Sequence, residues 1–151
     1  MMKTQALSRN APIHLFLIVT SFLLIIVPVI NKTPNYQISE KTVHAASQFL
    51  FLVDTEEYAK SWDVSSASLK KMLTQETWRE QITKIRTSLG QVVERYQDKI
   101  TYTDTAGDVS SGKYVIVTFL SKFELRERVT ETITLLLDDN DQWQVVGYFI
   151  S

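Results

Sequence analysis

Cysteine is absent from this chain of 151 residues, which also contains only 4 glycines and 3 prolines. Without thiols the protein has no cysteine nucleophile, no thiolate metal ligand and no attachment point for a lipoprotein anchor. Disulfides are excluded as well, so the hydrophobic core and the hydrogen bonds have to stabilise the fold. These absences remove whole classes of site from consideration, but they do not name an activity.

An excess of charge of either sign is also missing. The chain has 16 Lys and Arg against 17 Asp and Glu, which gives a formal net charge of −1, and the two signs are interspersed. A nucleic-acid-binding protein would present a basic patch, and no such cluster occurs. No polybasic stretch follows the apolar segment described next, which argues against specific recognition of anionic lipids. We therefore expect no nucleic-acid partner.

One long apolar run stands near the start of the chain. Residues 13–30, IHLFLIVTSFLLIIVPVI, carry no formal charge. As a helix they would be roughly 27 Å long, close to the roughly 30 Å of bilayer hydrocarbon. Lys3 and Arg9 precede the run and favour a cytoplasmic amino terminus. The sequence predicts a cytoplasmic tail at 1–12, a transmembrane signal-anchor at 13–30, a linker at 31–38 and an extracytoplasmic domain at 39–151.

Two other interpretations of the apolar run stay open. A cleaved secretory signal would have a shorter apolar core and a small-residue cleavage site directly after it, and residues 31–34 (NKTP) offer none. A buried helix of a soluble protein would carry more polar residues on one face. An uncleaved anchor predicts a single-pass protein of the cell inner membrane, whereas cleavage would give a secreted or periplasmic protein.

Helical periodicity dominates the first half of the predicted domain. Ser39 is a plausible N-cap for a helix with apolar residues at three- and four-residue spacing, and Asp54 is a plausible cap for a short second helix. Ser65 or Ser66 begins a third helix, with Leu69 and Met72 directed inward. Thr74 caps a longer helix whose predicted apolar stripe is Trp78, Ile82, Ile85 and Leu89, and Gly90 ends it.

After Gly90 the period changes from 3.6 to 2. Residues 92–103 read as an irregular strand in which Asp98 breaks the alternation, which indicates a β-bulge. Residues 113–123 are rich in β-branched and aromatic side chains and predict a central strand. Residues 129–137 alternate threonines with apolar residues, and an acidic turn at 138–141 leads to a last strand at 142–150. Three or four helices followed by four antiparallel strands predict an α+β domain with the helices on one sheet face.

Several segments together resemble the bacterial domain-of-unknown-function family 4019. They are LVDTEEYAKSW at 52–62, Trp78, RTSLG at 86–90, Arg95, SGKYVIV at 111–117 and TETITLLLDDNDQWQVVGYFI at 130–150. The likeness extends over about residues 43–151. It implies an exported or membrane-anchored protein without an established activity. The fold that it implies is similar to small cystatin-like or nuclear-transport-factor-like domains.

Common catalytic and metal-binding patterns are missing. His44 is the only histidine after the apolar run, and the sequence contains no G-x-S-x-G nucleophile elbow. A zinc site lacks its ligands, and the acidic turn at 138–141 lacks the glycine and the distal glutamate of a calcium loop. We therefore predict no catalytic, cofactor-binding or metal-binding residues. The aromatic residues Trp62, Trp78, Trp143 and Tyr148 are expected to pack in the core.

Glu131 is the residue that the pattern does not explain. It falls among the apolar positions of its strand, between Val129 and Ile133. A lone buried carboxylate is costly, so we expect a partner, and arginine suits a two-pronged contact with a carboxylate. The prediction is a buried polar cluster of Glu131 with Arg86 and Arg95. Alternatives are an exposed Glu131 near the strand end, or a polar anchor inside a ligand pocket.

Three functions remain open on sequence alone. The favoured one is a non-enzymatic, membrane-tethered domain that binds another envelope protein, for example through a sheet edge. The second is a small-molecule pocket between sheet and helices. The third is an enzyme that uses carboxylates such as Asp54, Glu57 or Glu131, which would require two of them to converge in a cleft.

Overall fold

Four helices precede a four-stranded antiparallel sheet, so that the domain is α+β. The structure is a computed structural model, and it describes residues 36–104 and 112–151. The helices are α1 (Tyr36–Asp54), α2 (Tyr58–Asp63), α3 (Ala67–Met72) and α4 (Gln75–Leu89). The strands are β1 (Val92–Thr103), β2 (Tyr114–Phe123), β3 (Arg126–Leu137) and β4 (Trp143–Ile150), and their spatial order is β1-β2-β3-β4.

The transmembrane segment predicted at 13–30 lies outside the described residues. In the part of the chain that the structure describes, no helix combines the length and the apolar character needed to span a bilayer.

Helix α1 is the main support of the sheet. Its buried residues recur at three- and four-residue spacing, so that one face of the helix is apolar. That face packs on β2, β3 and β4. The core between them contains Ala46, Phe49, Leu50 and Val53 from α1 with Val117, Ile133, Leu135 and Tyr148 from the sheet. Within the described residues, these side chains pack together between the buried face of α1 and the sheet.

Helix boundaries differ from the sequence prediction at two caps. Helix α1 begins at Tyr36, inside the predicted linker, and the Ser39 hydroxyl lies 2.8 Å from the Tyr102 hydroxyl. Asp54 ends α1 and does not cap α2, whose N-cap is Glu57 without a side-chain hydrogen bond. That part of the prediction is wrong because the Asp54 carboxylate binds arginines instead. Ser66 and Thr74 cap α3 and α4 as predicted, accepting from the backbone N–H groups of Leu69 and Thr77.

Two predicted inward residues on the helices face solvent instead. Met72 is 54% exposed and Ile85 is 38% exposed. On α4 the buried residue is Arg86, one position after Ile85, because the buried face of the helix continues from Ile82 at four-residue spacing. Gly90 ends α4 with φ of +75° and ψ of −163°, a backbone conformation open essentially only to glycine.

Two β-bulges shape the edge strand β1. The register with β2 shifts between Val92 and Glu94 and again between Gln97 and Lys99. The second shift leaves Asp98 unpaired, as the broken alternation predicts. Each extra residue reverses the in–out alternation of the strand. The odd-numbered Arg95 therefore shares the helix-covered face with the even-numbered Ile100.

Candidate functional site

A polar layer divides the hydrophobic interior in two. On β2 the inward residue Ser121 lies between Phe119 and Phe123, and on β3 Glu131 lies between Val129 and Ile133. Phe119 and Ile133 belong to the main core. Phe123 and Val129 form a smaller cluster with Leu89. The polar layer consists of Asp54, Arg86, Arg95, Ser121, Glu131 and Tyr148, and we call it the charge network.

Glu131 is the fully buried centre of this network, with 0% exposure. One carboxylate oxygen, Oε2, accepts from the Ser121 hydroxyl at 2.5 Å and from Arg95 Nε at 2.7 Å. The other oxygen, Oε1, accepts from the Tyr148 hydroxyl at 2.6 Å and lies 3.6 Å from Arg86 Nη1. Three donors and two positive charges thus compensate for the loss of hydration of this carboxylate.

Asp54 is the second carboxylate and stands at the outer side of the network, 18% exposed. Its Oδ2 accepts from Arg95 Nη1 at 2.6 Å, and its Oδ1 accepts from Arg95 Nη2 at 3.0 Å. Its Oδ1 also accepts from Arg86 Nη2 at 2.7 Å. Arg95 therefore grips Asp54 with two nitrogens, which is the strongest geometry for an arginine–carboxylate pair.

Arg86 completes the set from α4 and is 7% exposed. Its guanidinium lies over the Phe123 ring, with 4.7 Å from Cζ to the ring centroid, which is a cation–π contact. Its Nη1 has no hydrogen-bond partner among the described residues. Two arginines and two carboxylates leave the network with no formal net charge, so the desolvation cost is met by mutual pairing.

The surroundings shift two pKa values within the network. Burial raises the pKa of the Tyr148 hydroxyl well above its ordinary value, and the negative charge of Glu131 raises it further. For Arg95, burial alone lowers the pKa, but the hydrogen bond to Asp54 and the charge of Glu131 outweigh burial, so the pKa of Arg95 is raised. Tyr148 thus stays neutral and acts as a hydrogen-bond donor.

The sequence analysis named Glu131, Arg86 and Arg95, and the structure brings these three together. It adds Asp54, Ser121 and Tyr148, which sequence reasoning did not place in this cluster. Ser121 could have been predicted from the sequence, because a serine between two inward phenylalanines on a central strand is a polar residue at a core position. Asp54 could not have been predicted in this way, since an aspartate after an apolar helix reads as a cap.

The contacts of the charge network suit it to linking α1, α4 and the sheet, and they do not suit it to proton transfer. Asp54 and Glu131 converge on the same two arginines, but their oxygens are already occupied by donors. Glu57, the third carboxylate considered, lies apart from them and pairs with Lys60. A general base needs a lone pair directed at a substrate proton, and these carboxylates direct theirs at arginine, serine and tyrosine.

A second feature is an open groove of about 550 Å³ between α1 and β4. Its exposed large hydrophobic side chains are Phe51, 62% exposed, and Val64, 49% exposed. Trp143 of β4 is half-buried, and its side chain both packs against the main core and lines the groove. The other lining residues are His44, Ala45, Ser47, Gln48, Phe49, Leu52 and Val145, so that no lysine, arginine or carboxylate among the described residues contributes. We call this feature the α1–β4 groove.

His44 lies on the exposed side of α1 and contributes to the groove. The acidic turn at 138–141 forms the β3–β4 hairpin, in which Asp138 Oδ1 accepts from the backbone N–H groups of Asn140 and Gln142 at 2.9 and 2.8 Å. Across residues 36–104 and 112–151, no three histidine, aspartate or glutamate side chains are placed to hold a metal ion.

Comparison with known protein families gives a match over most of the domain. The family model described as "Protein of unknown function (DUF4019)" matches residues 45–148. No curated protein and no solved structure matches the chain. The match covers more than half of the sequence, including the two carboxylates and both arginines of the charge network. The chain therefore belongs to the DUF4019 family.

Proposed function

We propose that this protein is a membrane-anchored, extracytoplasmic binding domain without catalytic activity. The α1–β4 groove would hold an apolar, uncharged segment of another envelope protein. The observation that carries the proposal is the groove itself, because large apolar side chains line it and stay open to solvent. Such exposed apolar surface on a small domain commonly marks a binding site.

The chemistry of the groove indicates the class of partner. A charged segment would lose hydration on entering and find no opposite charge, because the lining contains no lysine, arginine, aspartate or glutamate. Ser47, Gln48 and His44 supply hydrogen-bonding groups at the rim of a mainly apolar surface. An apolar segment with its backbone amides facing these residues fits both properties.

Placement outside the cytoplasm is part of the same proposal. It is supported by the uncharged run at 13–30 and by Lys3 and Arg9 on its amino side. The α+β order of elements supports a resemblance to cystatin-like or nuclear-transport-factor-like domains. The localisation test is a fusion of alkaline phosphatase after Ser151, which is active only outside the cytoplasm. An inactive fusion that is produced in full would overturn the anchored topology.

The binding test uses the full chain in detergent micelles and an uncharged peptide of alternating leucine and serine. Trp143 lines the groove, so we expect its fluorescence to change on binding. Phe51→Ser should weaken binding roughly tenfold to a hundredfold, because a buried phenylalanine contributes about 1.5–3 kcal/mol. A peptide with lysine in place of leucine should bind more weakly.

Met72→Ser is the matched control, since Met72 is similarly exposed on α3 but does not line the groove. It should leave the affinity unchanged. Equal affinity of the Phe51→Ser variant and the wild type would contradict the assignment of the groove. Binding of an uncharged apolar dye without binding of the peptide would favour a small-molecule site and overturn the protein partner.

A further inference from the structure

Asp54 occupies the arginine pair in the manner of a bound ligand. Two arginines from separate elements, α4 and β1, direct three hydrogen bonds at its two oxygens, at 2.6, 2.7 and 3.0 Å. The carboxylate reaches this position from a third element, the end of α1. A bidentate grip from Arg95 and a third bond from Arg86 is a geometry suited to any carboxylate, whether or not it belongs to the chain.

The local backbone does not favour a carboxylate at this position. Asp54 is the last residue of α1 and therefore lies at the partly negative end of the helix dipole. Glu56 follows with φ of +59°, a left-handed conformation that costs energy for a residue other than glycine. Asp54 is thus held by the arginines against its own surroundings.

The arginines, in contrast, have supports that do not involve Asp54. Arg95 Nε donates to Glu131 at 2.7 Å, and the guanidinium of Arg86 lies over Phe123 at 4.7 Å. Arg86 Nη1 keeps a donor that no described residue accepts. Without Asp54, two positive charges would face one carboxylate, and the vacated position would attract an anion.

Solvent reaches the network on the side of Asp54. Asp54 is 18% exposed and Arg95 is 16% exposed, whereas Glu131 is fully buried. We infer that Arg86 and Arg95 form a carboxylate-binding site, open toward solvent, that Asp54 fills from within the chain. The ligand class of this site is a carboxylate, and one from outside the chain binds there only when Asp54 has left the position. This inference does not depend on the α1–β4 groove.

The test uses formate, the smallest carboxylate, with the full chain in detergent micelles. Asp54→Ala is unfolded in urea in sodium formate and in sodium chloride of equal ionic strength. At a formate concentration about ten times its Kd, the unfolding equilibrium constant should fall about elevenfold relative to chloride. Asp54→Ser provides a second variant with an emptied site, and we expect the same response.

Three controls define the site. The wild type should show no difference between the two salts, because its tethered carboxylate already fills the position. Asp63→Ala, which removes an exposed aspartate on α2, should also show none. Adding Arg95→Met to Asp54→Ala should abolish the formate effect.

Two results would overturn the inference. One is that Asp54→Ala and Asp54→Ser respond equally to both salts, including the case in which both stay unfolded in formate. The other is that formate stabilises the wild type as much as the variants, which would be a general effect of the salt.

Discussion

The charge network and the α1–β4 groove both depart from the usual arrangement, in which charged groups are at the surface and large apolar groups are inside. The network places charged groups inside the domain, and the groove places large apolar groups at its surface. The two regions differ in how far their side chains have partners within the domain. Glu131 has a partner for both oxygens, whereas Phe51 and Val64 leave about half or more of their surface in water. Paired charges inside the domain stabilise the fold, whereas the uncovered apolar surface supports the proposal that the groove binds a partner.

The comparison is tested most strongly at Glu131. Glu131→Gln removes one of two carboxylates facing two buried arginines and places an amide where hydroxyl and guanidinium donors converge. We expect a loss of about 3–5 kcal/mol in the free energy of unfolding, measured by urea denaturation.

Glu127→Gln is the matched control, since Glu127 is on the same strand and 82% exposed in a surface pair with Lys122. It should cost at most about 1 kcal/mol. Equal losses for the two variants would mean that the network does not stabilise the domain.

Tyr148→Phe removes one donor from Glu131 and should cost about 1.5–3 kcal/mol, the range for a hydrogen bond to a charged group. A pH effect accompanies it. The pKa of Tyr148 is raised in the folded protein, so above an ordinary value of 10.0 the unfolded chain loses this proton first. The wild type should therefore lose stability as the pH rises beyond that value.

The Tyr148→Phe variant lacks this contribution, so its stability should fall less between mildly and strongly alkaline urea titrations. Every other titratable group is present in both proteins, so the comparison isolates the contribution of Tyr148. Parallel losses in variant and wild type would show that Tyr148 releases its proton as readily in the folded state as in the unfolded chain.

The smallest effect is expected in the groove. Phe51→Ala removes a side chain that is 62% exposed, and the free energy of unfolding should change by no more than about 0.5 kcal/mol. Phe49→Ala, two residues earlier on the same helix, empties a fully buried position and should cost about 3–5 kcal/mol. A large loss for Phe51→Ala would mean that the groove is part of the core and not a binding surface.

Periodicity in the sequence was sufficient to predict the helices and strands, but it did not predict which of their side chains meet. Alternation along β3 is enough to assign Glu131 to the inner face, since a strand has two sides. It does not reveal that Asp54, 41 residues before Arg95, meets the same guanidinium, because that contact depends on where α1 ends against the sheet. Helical spacing alone also did not distinguish Ile85 from Arg86 as the buried neighbour on α4.

The groove escaped sequence reasoning for a related reason. Phe51 is on α1, Val64 directly follows α2 and Trp143 is on β4, and each has the character of a core residue. Only the packing of α1 against β4 decides that these side chains border an opening instead of filling it. Trp143 is predicted in the core, and its half-buried side chain packs against the main core and also lines the groove.

The bulges at Val93 and Asp98 determine which face of β1 each side chain lies on, so the number of residues in the strand matters to the charge network. Arg95 and Ile100 are five residues apart, so in a regularly alternating strand without the bulge at Asp98 they would lie on opposite faces. Either the guanidinium would leave both carboxylates, or the far half of the strand would turn its apolar side chains to water. Among relatives of this chain, the number of residues separating that arginine from the next inward apolar position should vary less than the residues themselves.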